Sequence, residues 1–344
     1  MRIRGYALPQ GEFVDLYADG DQWTTDPVPG AEVTAEGWLL PGLVDAHTHP
    51  GAEKPGDRLD LAILKDDLRL HVDAGVTLIR SPGLADDPPD WFGTDPDLPR
   101  AWHAGPWIAQ AGQFFDGWGR RVDHADMPEQ AAAQAQQTGW AKIIADWGVG
   151  DEPVPEHVMK AVAEAVHAVG GRLAVHTQHS GGSAAAVAAG VDSVEHGMCM
   201  DAGLLNDMAT KGMAFTPTLS VLLSGLPRIQ ERAEGPRKDW ALTGVTAHPR
   251  LVAAAAEAGV TLLAGTDSRP HGRVADEVKA MADAGVSPHQ ALGAASWTAR
   301  AFLGLQGLEP GAPADAVVYE QDPRTDLDQL NRPLAVILRG RRVR

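Results

Sequence analysis

Cysteine, lysine and long apolar runs are all scarce in this chain. The single cysteine, Cys199, excludes an intrachain disulfide and provides no cysteine cluster for a structural metal. No segment reaches the roughly 18 uncharged apolar residues of a membrane-spanning helix, and the first residues lack the apolar stretch of a signal peptide. We therefore expect a cytoplasmic protein that does not bind membranes.

Positive charge is also in deficit. The chain has 29 lysine and arginine residues against 46 aspartate and glutamate residues, which gives a formal net charge of −17. Its one strongly basic run, 339–344, is short and terminal, so no basic stripe can neutralise phosphates and we expect no nucleic-acid partner. The 44% hydrophobic content indicates an ordinary folded protein, and the sequence leaves a homo-oligomer open.

Short apolar runs alternate with longer amphipathic stretches from about Leu39 onward, as in parallel strands joined by helices. Eight candidate strands are Leu39–Val44, Val76–Arg80, Trp107–Ala111, Trp140–Ala145, Arg172–His176, Ser193–His196, Ala214–Thr216 and Thr261–Gly265. Glycine, which accepts the left-handed conformation that ends a helix, separates helix from strand at Gly75, Gly170, Gly190, Gly212 and Gly259. The pattern predicts an α/β fold, either a (β/α)₈ TIM-type barrel or an open doubly wound sheet.

The two ends of the chain have a different character. Residues before Leu39 form short β patterns with turns, and Ala314–Tyr319 and Leu334–Leu338 also resemble strands. We therefore expect a small β-sandwich domain built from residues 1–43 and 304–344, flanking a barrel of residues 44–303.

Polar side chains occur where several of the predicted strands end. His47 and His49 are two apart in extended chain, so both imidazoles project to one side and can chelate one cation. His176, His196 and Asp267 occupy the ends of later strands, and in a barrel these ends converge on one mouth. The alternative, a buried hydrogen-bonded residue without a ligand, would have to hold independently at five matching positions.

Lys142 lies inside the apolar strand Trp140–Ala145, in a chain with only seven lysines. An unpaired ammonium is costly in a barrel interior. Three interpretations remain open: a carboxylate neutralises it, its amine reacts with carbon dioxide to give an anionic carbamate ligand, or its head reaches solvent.

Other polar and aromatic residues have weaker signals. His271, His179 and Trp118 are candidates for substrate binding, although a hydrogen bond to a ligand or packing under a loop would also explain them. Arg80, Arg120 and Arg269 could hold a substrate carboxylate, although exposed arginines more often have no specific role. The remaining histidines in helix patterns are interpreted as surface or capping residues; they are His71, His157, His167, His248 and His289.

Seven phrases of the sequence resemble the amidohydrolase superfamily, in particular its prolidase-like and imidazolonepropionase-related branch. They are PGLVDAHTHP (41–50), AGVTLIRSPG (74–83), AKII (141–144), LAVHT (173–177), VDSVEHG (191–197), GTDSRPHG (265–272) and LGLQGLEPGAPADAVVYEQDP (303–323). Their order and number make the resemblance specific, and it covers nearly the whole chain. The segment GQFFDGWGRR (112–121) departs from the usual pattern of a glycine-rich, histidine-containing loop, which leaves the substrate open.

The resemblance implies a centre of two divalent metal ions, expected to be zinc. His47 and His49 would bind the more buried ion with Asp267, while His176 and His196 would bind the second. A carboxylated Lys142 would bridge the two ions.

The expected function is hydrolysis of an amide-like C–N bond in a dipeptide, an N-acyl amino acid or a cyclic amide, with Asp267 as proton shuttle. A lactonase or esterase and a phosphotriesterase-like hydrolase remain alternatives. A mononuclear deaminase of the same superfamily usually needs a glutamate shortly after the histidine of the fifth strand, and 177–180 contains no acid. A non-catalytic scaffold would be expected to lose metal ligands, yet all six positions are filled.

Overall fold

A computed structural model describes all 344 residues. The strands are β1 Arg2–Ala7, β2 Glu12–Asp19, β3 Gln22–Thr24, β4 Val33–Pro41, β5 Leu43–Asp45, β6 Val76–Ser81, β7 Arg100–His103, β8 Ile108–Ala109, β9 Arg120–Arg121, β10 Trp140–Ile144, β11 Arg172–Thr177, β12 Ser193–His196, β13 Ala214–Thr216, β14 Thr261–Leu262, β15 Ala316–Tyr319, β16 Ala335–Leu338 and β17 Arg341–Arg342. The α-helices are α1 Leu61–Asp73, α2 Met127–Thr138, α3 Glu156–Ala168, α4 Ser180–Ala189, α5 Leu205–Thr210, α6 Leu219–Ser224, α7 Leu226–Gln230, α8 Pro236–Glu257, α9 Val274–Asp283, α10 Pro288–Ala294 and α11 Trp297–Phe302. None of these helices combines the length and apolar character needed to cross a bilayer.

The two ends of the chain form one seven-stranded sheet in the order β17-β16-β15-β4-β1-β2-β3. At its centre β4 pairs in parallel with β1 and antiparallel with β15. Ile3, Leu16, Trp23 and Leu39 from the N-terminal strands are buried together with alanine and branched side chains from β15 and β16. Each end therefore needs the other to complete its core. The division into a β-sandwich domain of residues 1–43 and 304–344 and a domain of residues 44–303 stays a prediction.

Two all-parallel sheets occupy the middle of the chain. One has the order β5-β6-β7 and the other the order β14-β13-β12-β11-β10-β8-β9. Helices connect most of the successive strands, because parallel neighbours need a crossover. Apolar side chains from these strands and helices merge into one large core. The α/β class predicted from the sequence is confirmed.

Main-chain contacts connect the two parallel sheets at both edges. Ala46, just after β5, donates its N–H to the carbonyl of Ala264, which follows β14, at 2.7 Å. On the other side, Leu84 after β6 forms a parallel bridge with Pro106, which precedes β8. Since all the strands run in one direction, their carboxyl ends lie at the same side of the molecule, and the polar residues that follow them are brought together there.

The glycines predicted to end helices have the expected conformation. Gly75, Gly170, Gly190, Gly212 and Gly259 all have φ between 67° and 84°. This is the left-handed region, which other residues adopt only at a steric cost. The positions of these glycines in the sequence therefore predicted the backbone conformation of the turns.

Several predicted strands differ from the structure in their boundaries or in number. The expected strand Leu39–Val44 is two strands, because β4 belongs to the terminal sheet and β5 to the parallel sheet, and they separate at Gly42, where an added Cβ would meet the Thr77 hydroxyl at 2.0 Å. The strand predicted at Trp107–Ala111 is only β8. The prediction missed β7, whose sequence, RAWH, is short and mostly polar and therefore carries little periodic signal.

A buried carboxylate joins the terminal sheet to the rest of the molecule. Asp315, next to β15, is fully buried and accepts hydrogen bonds from Arg100 Nε at 2.8 Å, Arg300 Nη2 at 3.3 Å and the Arg339 backbone N–H at 2.9 Å. Arg100 lies on β7 and Arg300 on α11. One carboxylate thus joins β7, α11 and the turn between β16 and β17.

We expect Asp315→Ala to lower the free energy of unfolding by about 3–5 kcal/mol, because the guanidinium of Arg300 would be left buried without its counter-charge. Urea unfolding measures the change. Asp19→Ala, at an exposed position of β2, is the matched control and should change stability by less than about 0.5 kcal/mol. Equal stabilities for the two variants would contradict this account of the junction.

Candidate metal centre

All six predicted metal ligands line one cavity of about 290 Å³. It opens at the side of the molecule where the parallel strands end. The ligands lie after β5, within β10 and β11, at the end of β12 and after β14; they are His47, His49, Lys142, His176, His196 and Asp267.

His47 and His49 face each other at the deep end of this cavity. Their Nε2 atoms are 3.1 Å apart, and their rings are nearly perpendicular. The Nδ1 atom of His49 lies 2.6 Å from the carbonyl oxygen of Gly83, which can only accept a hydrogen bond. The other nitrogen of a neutral His49 therefore carries a lone pair.

The same reasoning applies to His47. Its Nδ1 lies 2.6 Å from a carboxylate oxygen of Glu195, which assigns the proton to Nδ1. Burial lowers the pKa of His47 to about 4 and that of His49 well below its usual range, so both rings are neutral near pH 7. Two lone pairs consequently point at each other across 3.1 Å, an unfavourable arrangement that a shared cation would relieve.

Glu195 is held ionised by a buried arginine. Arg80 Nη2 lies 2.8 and 2.9 Å from the two carboxylate oxygens, and both side chains are about 1% exposed or less. Although burial raises the pKa of Glu195, the Arg80 guanidinium and the His47 hydrogen bond hold it well below its usual range. Arg80 also donates from Nε to the carbonyl of Ala46, beside His47. Arg80 thus supports His47 through Glu195, and it does not line the cavity.

Asp267 presents its carboxylate to three histidines. Its Oδ1 is 3.5 Å from His49 Nε2 and 4.0 Å from His47 Nε2, and its Oδ2 is 3.9 Å from His196 Nδ1. The ligand atoms of His47, His49 and Asp267 all lie within 4.8 Å of one another. Burial raises the pKa of Asp267 to about 7. Two nitrogens and one carboxylate oxygen so close together form a donor set that suits a divalent transition metal such as zinc.

Several residues at or beside the cavity have unfavourable backbone conformations, which set the direction of their side chains. His196, Thr218 and Asp267 have φ of 64°, 47° and 44°, three of only five positive values at non-glycine residues. Such residues cost free energy and persist where the surrounding structure fixes them. Here the Thr218 hydroxyl lies 2.8 Å from His196 Nδ1 and orients that ring.

Asp45 connects the segment that contains His47 to the segment that contains Asp267. It is fully buried, and its carboxylate accepts hydrogen bonds from the His47 N–H, the Thr266 N–H and the Thr266 hydroxyl. Close packing continues at Gly265, where an added Cβ would lie 2.4 Å from His47 Cβ. The spacing between His47 and Asp267 is therefore fixed by contacts behind the cavity.

Lys142 and His176 have buried polar atoms without partners. Lys142 Nζ and His176 Nε2 are shielded from solvent and make no hydrogen bond. Burial lowers the pKa of Lys142 to about 8, and burial together with the Lys142 charge lowers the pKa of His176. The ring of His176 packs against that of His196, with centroids 4.6 Å apart. Buried polar atoms without partners at one wall of the cavity fit a ligand that this chain itself does not provide.

The three predicted substrate contacts have different positions. His271 lines the cavity, but its Nδ1 is 2.9 Å from the Thr48 hydroxyl and its Nε2 is 3.3 Å from Asp67, so both nitrogens are engaged. Trp118 also lines the cavity. His179 does not; its ring stacks on Trp240 at 4.6 Å.

Two of the histidines interpreted as surface or capping residues are buried. His71 contacts the Thr48 hydroxyl at 3.3 Å, and His248 lies 3.0 Å from the carbonyl of Pro217; neither ring is exposed. In the structure, each of these histidines lies on the face of its helix that packs toward the core. Among the arginines, Arg269 lines the cavity but is paired with Asp67, whereas Arg120 is exposed on β9 outside it.

Sequence reasoning missed three residues that support the site. Asp45 lies two positions before His47, Glu195 directly precedes His196, and Thr218 follows β13. A polar residue inside an apolar strand was the available signal for Asp45 and Glu195. Asp45 also binds Thr266, and Glu195 binds Arg80 and His47, all more than a hundred positions away in sequence, so only the structure reveals these partners.

Glu195→Gln tests the support of His47. We expect a 10–100-fold loss of affinity for zinc. The amide of glutamine can present its N–H group to His47 Nδ1, so it no longer fixes the tautomer in which the Nε2 lone pair faces the cavity. Competition with a chromophoric chelator measures the affinity. Glu257→Gln, at an exposed position of α8, should leave it unchanged, and an unaltered affinity in Glu195→Gln would refute the proposed support.

Comparison with known proteins places the chain in a family. The model of the amidohydrolase family matches residues 99–343. An uncharacterised protein of Mycobacterium tuberculosis is 38% identical over 99% of this chain and 95% of its own length. Ochratoxinase of Aspergillus niger is 31% identical over 57% of this chain and 43% of its own length. The crystal structure of a Xaa-Pro dipeptidase with bound methionine has a TM-score of 0.81 at 21% identity, with 99% of this chain and 98% of the other covered.

The sequence resemblance and the family match agree, and the predicted family is confirmed. With the paired histidines, the aspartate and the shared cavity already described, these findings lead to one conclusion: the chain belongs to the amidohydrolase family.

Proposed function

We propose that this protein is a metal-dependent hydrolase that cleaves an amide-like C–N bond of a small molecule. The observation that carries the proposal is the convergence of six ligand side chains, from five separate segments, on a single cavity. Small-molecule sites are concave and combine apolar walls with a few convergent polar groups, as this cavity does.

The proposed centre contains two zinc ions. His47, His49 and Asp267 would hold one, and His176 with His196 the other. Imidazole nitrogen suits zinc, and the neutral state of these rings leaves their lone pairs free for coordination. Lys142 would bridge the ions as a carbamate, formed when its neutral amine adds to carbon dioxide and loses a proton. The lack of any hydrogen-bond partner for its buried Nζ supports this modification.

A bound divalent cation lowers the pKa of a water molecule and polarises a carbonyl group. Asp267 would take the proton from the attacking water and return it to the departing nitrogen. Only Glu53 and Asp267 provide carboxylates to the cavity, and Glu53 is exposed at its rim. Glu195 is closed off behind His47. Asp267 is therefore the carboxylate best placed for proton transfer.

The same proposal includes the architecture around the site. We propose that the two parallel sheets close into a (β/α)₈ barrel, flanked by the terminal sheet as a separate small domain. Main-chain contacts at both edges of the parallel sheets support closure. The mouth of such a barrel is where its active site lies.

The names of two relatives favour amides over other substrates. A structure of similar fold is that of a Xaa-Pro dipeptidase, a name that denotes cleavage of a peptide bond, and a sequence relative is named ochratoxinase. Lactones and phosphotriesters are alternative substrates for the same centre. Deamination is less favoured, because Gln178, which follows the histidine of β11 and lines the cavity, is not an acid.

We expect Asp267→Asn to lower kcat for amide hydrolysis by about 10²–10⁴-fold while zinc remains partly bound, because an amide cannot relay the proton. Steady-state kinetics on amide, lactone and phosphotriester panels, with metal content measured in parallel, tests the role. Asp19→Asn is the control. Wild-type rates in metal-replete Asp267→Asn would refute the proton relay, and turnover of the lactones or phosphotriesters alone would refute the amide class.

Carbon-13 NMR of protein equilibrated with ¹³C-bicarbonate and zinc tests the carbamate. The wild type should give a carbamate resonance, which Lys142→Met abolishes. Lys160→Met, at an exposed position of α3, should retain the resonance. A wild-type spectrum without this resonance would show that Lys142 is an unmodified amine.

A further inference from the structure

Five aromatic side chains form a continuous cluster along one side of the cavity. We call this cluster the aromatic wall, and it consists of Trp107, Phe114, Phe115, Trp118 and Trp147. Each ring lies within 5.2 Å, centroid to centroid, of at least one other member. Three members belong to the segment 112–121, the part of the sequence that departs from the family pattern.

The aromatic wall touches the candidate metal ligands at two points. The ring centroid of Trp107 is 5.0 Å from that of His49, and the centroid of Trp147 is 5.4 Å from that of His176. These two histidines belong to the two halves of the proposed centre. A substrate held with its scissile bond at the centre would therefore lie next to the wall.

The inner part of the wall is buried and closely packed. Trp107 and Trp118 are stacked, with centroids 4.7 Å apart and planes at 17°, and both are almost fully buried. The indole N–H of Trp118 donates to the carbonyl of Asp57 at 2.6 Å. Packing in the protein core is sufficient to explain these two side chains.

The outer part of the wall is not explained by packing alone. Phe114 and Trp147 are only partly buried, and Phe115 is 37% exposed at the cavity. Phe114 has φ of 70°, a conformation that a bulky side chain rarely adopts and that persists where surrounding contacts enforce it. The loop thus maintains an unfavourable backbone while leaving apolar rings open to the site.

The charged groups near the wall do not compete for this surface. Arg269, which also lines the cavity, is paired with Asp67 through both of its terminal nitrogens. Glu53 and Lys54, which have opposite charges, are both exposed at the rim. The open faces of Phe114, Phe115 and Trp147 therefore present an apolar, aromatic surface. A flat ring would stack on it or meet it edge to face.

We propose that the aromatic wall binds an aromatic ring of the substrate, so that the preferred substrates are amides with an aryl group on the acyl or the amine side. This inference rests on the proposed amide hydrolysis for its chemistry, but ring binding at the wall can be measured without any turnover. Phe115 and Trp147 act as specificity-determining residues.

Binding is tested by calorimetric titration of the zinc-loaded protein with 4-phenylbutyrate and with butyrate, which differ by the ring and contain no scissile amide. The wild type should bind 4-phenylbutyrate at least about tenfold more tightly. Phe115→Ala and Trp147→Ala should each reduce this preference severalfold. Phe13→Ala, which removes an exposed phenylalanine from β2 in the terminal sheet, should keep it.

Turnover is compared on N-acetylphenylalanine and N-benzoylalanine against N-acetylalanine. A roughly tenfold higher kcat/KM for at least one aryl substrate, reduced in Phe115→Ala, supports the inference. Equal binding of the two probes, or a preference that survives both wall substitutions, overturns it. A ring preference in binding without hydrolysis of any amide would support ring binding at the aromatic wall and refute the proposed reaction. Amide hydrolysis without a ring preference would support the reaction and refute ring binding at the wall.

Discussion

The candidate site depends on two imidazole lone pairs that are held against each other. His47 and His49 are neutral, their Nδ1 protons are directed to Glu195 and to the Gly83 carbonyl, and their Nε2 atoms meet at 3.1 Å. No internal hydrogen bond relieves this contact. A protein without a cation to bind would gain stability by turning either ring away, so the arrangement fits a site for a cation.

Much of the surrounding structure serves to maintain that contact. The Arg80–Glu195 pair fixes one ring from behind, and Asp45 ties its segment to that of Asp267. The left-handed backbone conformations of His196 and Asp267 cost additional free energy, which the packing of the surrounding strands offsets. The stability of the fold and the geometry of the site are consequently opposed at these positions, as expected where function selects a conformation that packing alone would not.

The sequence predicted the features that have local causes. Apolar periodicity located most of the parallel strands, glycine marked the helix ends, and polar residues at strand ends identified the members of the cavity. Features with distant causes were not predictable. One apolar run divides at Gly42 because its halves join different sheets, and the role of Glu195 depends on Arg80, which is 115 positions away. Burial of His71 and His248 likewise depends on which helix face meets the core.

The most direct test of this account is the metal content of the protein, measured by elemental analysis after equilibration with zinc and removal of free metal. The account predicts that the wild type retains at least one zinc ion per chain and that a variant with both His47 and His49 replaced by alanine loses it. A wild-type protein that retains no zinc, or a double variant that binds as much as the wild type, would contradict the metal site on which the proposed function depends.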